Sequence, residues 1–281
     1  MDVYESLIAE RAAGRACALA TIVNVQGSIP SHASAKMLVR EDGSIVGTVG
    51  GGAAEAEVIL AAREVIREEK PQMVSFALHE NPKLDTGMVC GGSLDVFVEP
   101  IVPAPILHLF GAGHVGILTE QVARLAGLKT VVVDDRPEFA DPARFPEAEA
   151  VLSGSFEESM ARLAPNRRSM VFIATRCHDI DGRVLEWALG TAAGYIGMIG
   201  SRRKVLTVFD RLRAAGVAAS AFARVRAPVG LDIAAQTPAE ITVSVVAELI
   251  AWRRGAEAVR PLMRSMADLV RRTRPADPPA A

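Results

Sequence analysis

Short apolar runs and one amphipathic stretch alternate along about the first hundred residues. Apolar side chains at helical spacing predict a helix over residues 2–14, and a run rich in β-branched residues predicts a strand over 18–25. An Asp-Gly dipeptide at residues 42–43 is typical of a hairpin between two short strands, 36–40 and 45–49. The pattern continues with a predicted surface helix and two predicted strands, at residues 53–69, 73–78 and 93–98. This succession is typical of an α+β domain.

Prolines then separate this part from a region with a different rhythm. Pro100, Pro103 and Pro105 disfavour both a continuing helix and a central strand. We therefore predict an α+β domain over residues 1–102 and a second domain over 103–255. In the second domain strands alternate with helices, which predicts a parallel sheet covered on both faces in a Rossmann-like α/β fold. The predicted strands cover residues 106–110, 130–133, 170–174 and 195–199, and the predicted helices cover residues 114–126, 153–163, 182–192, 203–215 and 238–252.

The last segment, residues 256–281, is predicted to be a C-terminal helix with a frayed tail, because it is rich in proline, arginine and alanine.

Composition restricts the class of partner. Lysine and arginine number 31 against 33 aspartates and glutamates, so no basic excess attracts nucleic acid or an anionic membrane. The uncharged stretches are shorter than the roughly 18 to 20 apolar residues that a membrane span needs, and the N-terminus lacks the apolar core of a signal peptide. Three widely spaced cysteines exclude a disulfide framework. We expect a soluble cytoplasmic protein without a nucleic-acid or membrane partner.

A glycine-rich loop at the start of the second domain fits the pattern G-x-G-x-x-G. Gly111 makes the tight turn, Gly113 lets the backbone approach a phosphate, and Gly116 lets the helix lie close to the strand. His114 opens the helix, whose N-terminus favours an anion. Asp134 ends the next predicted strand, where a ribose-binding carboxylate belongs. The alternative is a Rossmann-like turn that no longer binds a nucleotide.

Two further predicted strands end in polar segments. Residues 175–181 include His178 and follow a buried strand, so they lie at the edge where open α/β sheets bind ligands. The alternative is a capped connection in which an aspartate starts the next helix. After the following strand, Ser201, Arg202 and Arg203 begin a helix and are predicted to meet phosphate or pterin oxygens. The alternative there is a solvated charge run.

A second glycine run lies in the first domain, between a predicted strand and a predicted helix. The backbone N–H groups of Gly50, Gly51 and Gly52 are candidates for an anion-binding nest, and a flexible linker is the alternative.

Cys90 precedes Gly91 and Gly92 at the entry to a strand, which places its thiol near an exposed loop end. A thiolate there would bind a soft metal or accept sulfur, whereas the alternative is a small thiol packed beside two turn glycines. Cys17 begins an apolar strand and is predicted to be a core residue.

Taken together, these segments resemble the XdhC/CoxI family, the xanthine dehydrogenase accessory proteins that handle molybdenum cofactor. The resemblance extends from about residue 18 to about residue 252. The motifs that carry it occur in one order: VQGSIP at 25–30, AKMLV at 35–39, GTVGGG at 47–52 with Glu55, CGG at 90–92, GAGHVG at 111–116, IGSRRK at 199–204, PVGLDI at 228–233 and TPAE at 237–240.

The resemblance implies an accessory protein rather than a catalyst. It implies that the chain binds molybdenum cofactor, as molybdopterin or its cytosine dinucleotide form, and holds it for sulfuration by a cysteine desulfurase. It further implies delivery to an apo molybdenum hydroxylase of the xanthine dehydrogenase type, and a second copy of the chain is another candidate partner. Many relatives have Cys at the position of Ala53 and an acidic residue at the position of Cys177. Cys90 is therefore the candidate metal ligand.

Two other functions compete with this interpretation. In an NAD(P)-dependent oxidoreductase, the glycine loop at residues 111–116 would bind the dinucleotide, Asp134 would select NAD and His178 would transfer protons. In a scaffold for the hydroxylase, the Rossmann-like domain would bind no nucleotide.

Overall fold

Two sheets of different type contain the strands of this chain. The computed structural model describes residues 2–27, 34–78 and 92–256. The chain divides into two compact units, Met1–Ala104 with an antiparallel sheet and Pro105–Ala281 with a parallel sheet. The predicted fold class, an α+β domain followed by a Rossmann-like parallel sheet domain, is confirmed.

The helices and strands are numbered in chain order. The first unit contains α1 (Val3–Ala12), β1 (Cys17–Gly27), β2 (Lys36–Arg40), β3 (Ile45–Gly47), α2 (Gly52–Glu68), β4 (Gln72–Leu78) and β5 (Gly92–Ile101). The second contains β6 (Ile106–Phe110), α3 (His114–Leu125), β7 (Lys129–Asp134), β8 (Ala150–Ser153), α4 (Phe156–Ala161), β9 (Met170–Ile173), α5 (His178–Leu189), β10 (Tyr195–Met198), α6 (Arg202–Ala214), β11 (Val225–Arg226) and α7 (Pro238–Arg253). Two short 3-10 helices lie at Pro142–Arg144 and Ala219–Arg224.

The antiparallel sheet has the strand order β3-β2-β1-β5-β4, and α2 covers one of its faces. Helix α2 has the apolar spacing that the sequence predicts, and it buries Val58, Val65 and Ile66. These side chains pack with Met37 of β2 and Val96 of β5 in one apolar cluster. The amphipathic pattern of α2 therefore determines which of its faces meets the sheet.

Strand β5 continues through a proline. Pro100 lies opposite Ala18 of β1, although the sequence predicts that this strand ends at Val98. Proline lacks the backbone N–H that a residue in a central strand donates to one of the two neighbouring strands. The pairing of β4 with β5 ends at Gln72 and Val98, so Pro100 lies beyond the end of β4 and is tolerated there, as on an edge strand.

The parallel sheet has the strand order β11-β10-β9-β6-β7-β8, and both of its faces are covered. On one face Leu107 and Leu109 of β6 pack with α3 and with Val245 and Leu249 of α7. On the other face Phe110 of β6 packs with α4, α5 and α6. This burial on both faces is what a parallel sheet requires, and it explains why its strands are almost continuously apolar.

Two edge strands and one helix start differ from the predictions. Strand β8 (Ala150–Ser153) precedes a helix that was predicted to begin at Ser153, and β11 (Val225–Arg226) is not predicted. Strand β8 has only two large apolar residues, Val151 and Leu152, and β11 has only two residues in all, so neither forms an apolar or alternating run that can be recognised. Helix α5 begins at His178 instead of Gly182, so the polar segment after β9 forms its first turn.

The longest helix of the described ranges, α2, has 17 residues, and the apolar helix α7 has 16. Within those ranges no helix combines the length and the apolar character that a membrane crossing needs.

His108 is a buried polar residue inside the parallel sheet. It lies in the middle of β6, opposite Val131 of β7 and Val171 of β9, on the face that α4, α5 and α6 cover. Its relative exposure is 5%, and Nδ1 and Nε2 have no hydrogen-bond partner within the described residues. Burial disfavours the charged imidazolium and lowers the pKa of His108 to about 4.

We expect His108 to make the protein less stable in mild acid. Between its ordinary pKa of 6.5 and about 4, the unfolded chain binds a proton at His108 and the folded chain does not, so stability falls as the pH falls. The free energy of unfolding that is lost because of His108 is about 2 kcal/mol at about pH 5 relative to neutral pH. Urea denaturation of the wild type and of His108→Leu at both pH values measures it. An equally steep pH dependence in the variant would contradict the assignment.

Candidate functional site

The strand order of the parallel sheet reverses between β6 and β9. From β6 the chain proceeds through β7 to β8 at one edge, whereas β9, β10 and β11 lie on the other side of β6. The helices after β6 and β9 pack on opposite faces, α3 beside α7 and α5 beside α4 and α6. The loops after β6 and β9 therefore diverge and leave a crevice at the carboxyl ends of the strands, where open α/β sheets bind ligands.

Two glycines of the G-x-G-x-x-G loop are required by the fold. Gly111 has φ +111°, and a Cβ atom there would lie 2.2 Å from the carbonyl oxygen of Ala174. The N–H of Gly111 donates to the carbonyl oxygen of Val133 at 2.8 Å. At Gly116 a Cβ atom would lie 2.0 Å from the carbonyl oxygen of Gly111. No larger residue fits at either position without moving the backbone.

Gly113, the N-cap residue of α3, is not required in this way. Its φ of −72° and ψ of −164° suit other residues, and a Cβ atom there would have no neighbour within 4 Å. His114, the first residue of α3, is exposed, and no side chain of the described chain caps this helix end. The first N–H groups of α3 and the positive end of its dipole therefore face an approachable surface, which is the arrangement that binds an anion.

Asp134, the predicted ribose-binding residue, is bonded to its own chain. Its Oδ2 accepts a hydrogen bond from the N–H of Ala112 at 2.8 Å, and its Oδ1 accepts one from the N–H of Arg136 at 3.0 Å. The guanidinium of Arg136 donates to both oxygens at 2.9 Å. Burial acts to raise the pKa of Asp134, but these bonds, chiefly those from the Arg136 side chain, outweigh it and lower the pKa. The ionised carboxylate thus holds the glycine loop beside the end of β7.

The segment after β9 supplies the N-terminus of α5. The helix begins at His178 with Cys177 as its N-cap residue. Asp181 has no exposed surface and accepts hydrogen bonds from the N–H and the hydroxyl of Thr175, at 3.1 and 2.7 Å. Nζ of Lys204 in α6 lies 2.5 Å from its other carboxylate oxygen. Asp181 therefore ties the loop after β9 to α5 and α6.

His178 and Cys177 remain accessible at this helix end. The His178 side chain is 46% exposed, and its Nε2 lies 3.6 Å from the carboxylate of Asp179. Asp179 in turn pairs with Arg211 of α6. Cys177 is a free thiol of intermediate exposure. An imidazole and a thiol are thus available at the carboxyl edge of the sheet.

Ser201, Arg202 and Arg203 begin α6 at the carboxyl end of β10. Ser201 is the N-cap residue, and its hydroxyl accepts a hydrogen bond from the N–H of Lys204 at 3.3 Å. Arg202 and Arg203 are exposed and form no ion pair with another residue of the described ranges. Because β6, β9 and β10 are neighbours, the segments that begin α3, α5 and α6 all lie at one sheet edge.

In the glycine run of the first unit, the N–H groups of Gly50 and Gly51 donate to the side chains of Thr48 and Glu55. Gly50, Gly51 and Gly52 have φ values of +124°, +78° and +69°. The Glu55 carboxylate accepts a hydrogen bond from the N–H of Gly51 at 3.3 Å. The Thr48 hydroxyl accepts one from the N–H of Gly50 at 3.0 Å and donates to Glu55. A ligand anion that uses the N–H of Gly51 therefore has to displace Glu55, and one that uses the N–H of Gly50 has to displace Thr48.

The structure describes two of the three cysteines. Cys90 and Gly91 lie outside the described residues, and Gly92 is the first residue of β5, paired with Gly27 of β1. Cys17 is fully buried, and burial raises the pKa of its thiol to about 11, so its assignment to the core is confirmed. In the described ranges no group of three or more His, Cys, Asp or Glu residues is placed to hold a metal ion.

Two family matches cover most of this architecture. The sequence matches the family described as XdhC Rossmann domain over residues 107–249, which include the starts of α3, α5 and α6. It matches the XdhC and CoxI family over residues 10–77. The chain belongs to the XdhC family. The family that the motifs predict is therefore confirmed.

Three curated relatives illustrate the range of XdhC-like proteins. The chain is 39% identical over 234 residues to the uncharacterized protein YqeB of Escherichia coli K12, covering 83% of this chain and 43% of that protein. It is 31% identical over 160 residues to a probable xanthine dehydrogenase subunit of Bacillus subtilis 168, covering 57% and 46%. It is 25% identical over 269 residues to the molybdenum cofactor insertion chaperone PaoD of Escherichia coli K12, covering 85% and 84%. The match spans less than half the length of the first two relatives.

Arg136 is a further residue at the candidate site of this XdhC protein. It is not among the residues that the sequence predicts for the site. It lies at the carboxyl edge of the sheet, two residues after Asp134, with its guanidinium 3.6 Å from the ring centroid of Phe139. A basic residue directly after the Asp134-Asp135 pair is the pattern that points to it. An arginine next to Asp134, the predicted ribose-binding residue, changes what the strand end can bind, since a guanidinium is a donor and a carboxylate an acceptor.

Proposed function

We propose that this chain is a molybdenum cofactor-binding accessory protein that holds the cofactor and delivers it to an apo molybdenum hydroxylase of the xanthine dehydrogenase type. Membership of the XdhC family supports the proposal. The name of PaoD, a molybdenum cofactor insertion chaperone that this chain matches over 84% of its length, supports it further. The relative named as a probable xanthine dehydrogenase subunit links the family to that class of client.

The approachable N-terminus of α3 is the observation that carries the proposal. The packing of the fold does not require glycine at position 113, because a Cβ atom there would have no neighbour within 4 Å. Gly113 lies where a bound group would meet the free N–H groups of the first turn of α3. Molybdopterin carries a phosphate, and a phosphate is the ligand that a helix N-terminus stabilises. Gly111 and Gly116 hold the loop that presents this helix end, and the exposed His114 lies beside it.

The neighbouring helix starts supply polar groups of the kind that the pterin needs. Arg202 and Arg203 provide charged donors for the oxygens of the pterin and its phosphate, and the N-terminus of α6 begins beside Ser201. His178 adds an imidazole that donates or accepts. In the first unit, the candidate nest of Gly50, Gly51 and Gly52 offers the N–H of Gly51 to the cofactor only once Glu55 has moved away.

We assign the soft ligand to Cys90. Cys17 is unsuitable because it is buried and its raised pKa keeps it a thiol, the form that neither binds metal nor attacks well. Cys90, followed by Gly91 and Gly92, would bind the metal or its terminal sulfur while a cysteine desulfurase acts on the cofactor. Cys177 at the start of α5 is the thiol against which this assignment must be tested. The proposal extends to the cytosine dinucleotide form of the cofactor and to a homodimer of this chain.

Molybdenum analysis tests the proposal most directly. We expect the wild type from a cofactor-competent host to carry molybdenum and to activate an apo hydroxylase. A protein without molybdenum that fails to activate the hydroxylase would refute the proposal. Cys90→Ser should lower both readouts and Cys177→Ser should not, whereas the reverse pattern would transfer the thiol function to Cys177.

Gly113→Val separates cofactor binding from folding. The φ and ψ of Gly113 suit valine, and its Cβ has room, so the variant should fold. Its side chain would cover the helix end, and the loss of one charge-assisted hydrogen bond, worth about 1.5 to 3 kcal/mol, should weaken cofactor retention about tenfold or more. Ala218→Val is the matched control, since Ala218 is the N-cap residue of the Ala219–Arg224 helix and also has extended backbone. Equal molybdenum content in folded Gly113→Val and wild type would exclude this site.

A further inference from the structure

The acceptor capacity of Asp134 is fully used. An ionised carboxylate offers about four acceptor positions. Asp134 accepts four hydrogen bonds: from the N–H of Ala112 at 2.8 Å, from the N–H of Arg136 at 3.0 Å, and from Nε and Nη2 of Arg136 at 2.9 Å each. Its side chain is 2% exposed. A ribose that binds in the Rossmann manner donates its hydroxyl groups to the carboxylate at this strand end, and here no acceptor is left for it.

Arg136 replaces that acceptor with donors. Its guanidinium is fixed on one edge by the two bonds to Asp134 and on one face by the ring of Phe139, 3.6 Å away. A guanidinium has five N–H donors in a rigid fork, and Asp134 uses only two of them. The Arg136 side chain is 28% exposed. The donors that Asp134 does not use are therefore positioned for an anion and lose little conformational entropy when they bind it.

The second acidic residue of this strand end is also neutralised. Nη2 of Arg176, in the loop after β9, lies 2.6 Å from the carboxylate of Asp135. The ion pair balances the charge of Asp135, so this carboxylate does not repel an anion that approaches Arg136 as strongly as a lone one would. The bond between Ala112 and Asp134 also keeps the glycine loop next to Arg136, so the N-terminus of α3 and the guanidinium belong to one continuous edge.

We propose that the carboxyl end of β7 is a phosphate-monoester subsite, with Arg136 as its specificity-determining residue and Asp134 as the residue that positions it. The subsite accepts a ligand that presents a terminal phosphate, and it disfavours a dinucleotide that presents a free ribose diol. Molybdopterin and a nucleotide with an extra phosphate on its ribose share this chemistry. The inference rests on the proposed function only in taking this sheet edge as the ligand-binding edge.

Titration calorimetry with adenosine nucleotides tests the subsite without the cofactor. The probes are adenosine 5′-monophosphate, adenosine 2′,5′-bisphosphate and adenosine diphosphate, and the last of these controls for the charge of the second phosphate. We expect the wild type to bind the 2′,5′-bisphosphate about tenfold tighter than either other probe, since the 5′-phosphate of each probe occupies the N-terminus of α3 and only a 2′-phosphate then reaches Arg136. Wild type that binds none of the probes, or all three equally, overturns the proposal.

Arg136→Gln provides the sharper result, because it should reverse the preference. It removes the donors to phosphate and releases acceptor positions on Asp134, so the affinity for the 2′,5′-bisphosphate should fall and that for the monophosphate should rise. Lys129→Gln is the control, because it removes a lysine from the opposite end of β7. Arg136→Lys retains the positive charge but not the forked guanidinium, so it should have an intermediate preference for the 2′,5′-bisphosphate. This variant replaces Arg136→Gln in the experiment if Arg136→Gln does not fold. An unchanged preference in a folded Arg136 variant overturns the proposal.

Molybdenum content distinguishes the two proposals. If the wild type carries molybdenum but shows no preference among the probes, the result supports the cofactor function and refutes the subsite. If the wild type prefers the 2′,5′-bisphosphate but carries no molybdenum and activates no hydroxylase, the result supports the subsite and refutes the cofactor function.

Discussion

Replacing Gly116 with alanine is expected to lower the free energy of unfolding by about 3 kcal/mol or more. The new Cβ atom would lie 2.0 Å from the carbonyl oxygen of Gly111 and 3.3 Å from Cδ2 of Leu109. Helix α3 would have to move away from β6, which separates apolar side chains on that face of the sheet. Alanine is otherwise the better helix former by about 1 kcal/mol, so a net loss isolates the steric contribution.

Gly182→Ala is the matched control for this experiment. Gly182 also lies within a helix, α5, but a Cβ atom there would meet Cγ1 of Val208 at 3.8 Å, an ordinary contact. We expect this variant to gain about 0.5 to 1 kcal/mol from helix propensity. Chemical denaturation of both variants and the wild type provides the comparison. Equal stability of Gly116→Ala and wild type would show that α3 does not require close approach to the strand-end loop.

Replacing Asp181 with alanine should cost about 2 to 4 kcal/mol of folding stability, because a fully buried carboxylate that accepts two hydrogen bonds and pairs with a lysine is removed. Asp181 has no exposed surface, and Nζ of Lys204 lies 2.5 Å from its carboxylate. The N–H and the hydroxyl of Thr175 would also lose their acceptor. Since the starts of α5 and α6 meet at this residue, Asp181→Ala should also disturb the edge that holds His178 and Arg202.

A double-mutant cycle with Lys204→Met identifies the ion pair as the cause. Lys204→Met leaves the Asp181 carboxylate buried with Thr175 as its remaining partner and should also be destabilising. The double variant Asp181→Ala with Lys204→Met should lose less than the sum of the two single changes, by about 1 kcal/mol or more. Urea denaturation of the four proteins measures this coupling. Additive losses would show that Asp181 acts through Thr175 alone.

The sequence by itself determined the elements and the family. The helices α2, α3 and α6 follow from apolar periodicity, and the strands of the parallel sheet other than its two edges follow from short apolar runs. Both patterns are contained within a few residues of sequence. The G-x-G-x-x-G loop was predictable for a related reason, since the steric needs of Gly111 and Gly116 arise in one strand-loop-helix unit. Even there, periodicity did not show that Gly113 has no steric reason to be glycine.

The pairing between strands could not be predicted from the local sequence pattern. The proline in β5 is tolerated because β4 ends at Gln72, a fact of register between segments that are distant in sequence. The two-residue strand β11 exists because β10 lies beside it. The burial of His108 is also a result of pairing, since the sheet places this residue between Val131 and Val171.

Only the tertiary structure decided what the charged residues do. Asp134 has the position of a ribose ligand in sequence, but the structure fills its acceptors from Ala112 and Arg136. Asp181 begins a helix in sequence, but Lys204 from the next helix makes it a buried anchor. The role of a carboxylate depends on which donors reach its oxygens. Arg136 is local to Asp134, but Ala112 and Lys204 come from other strand ends, which become neighbours of these carboxylates only when the sheet forms.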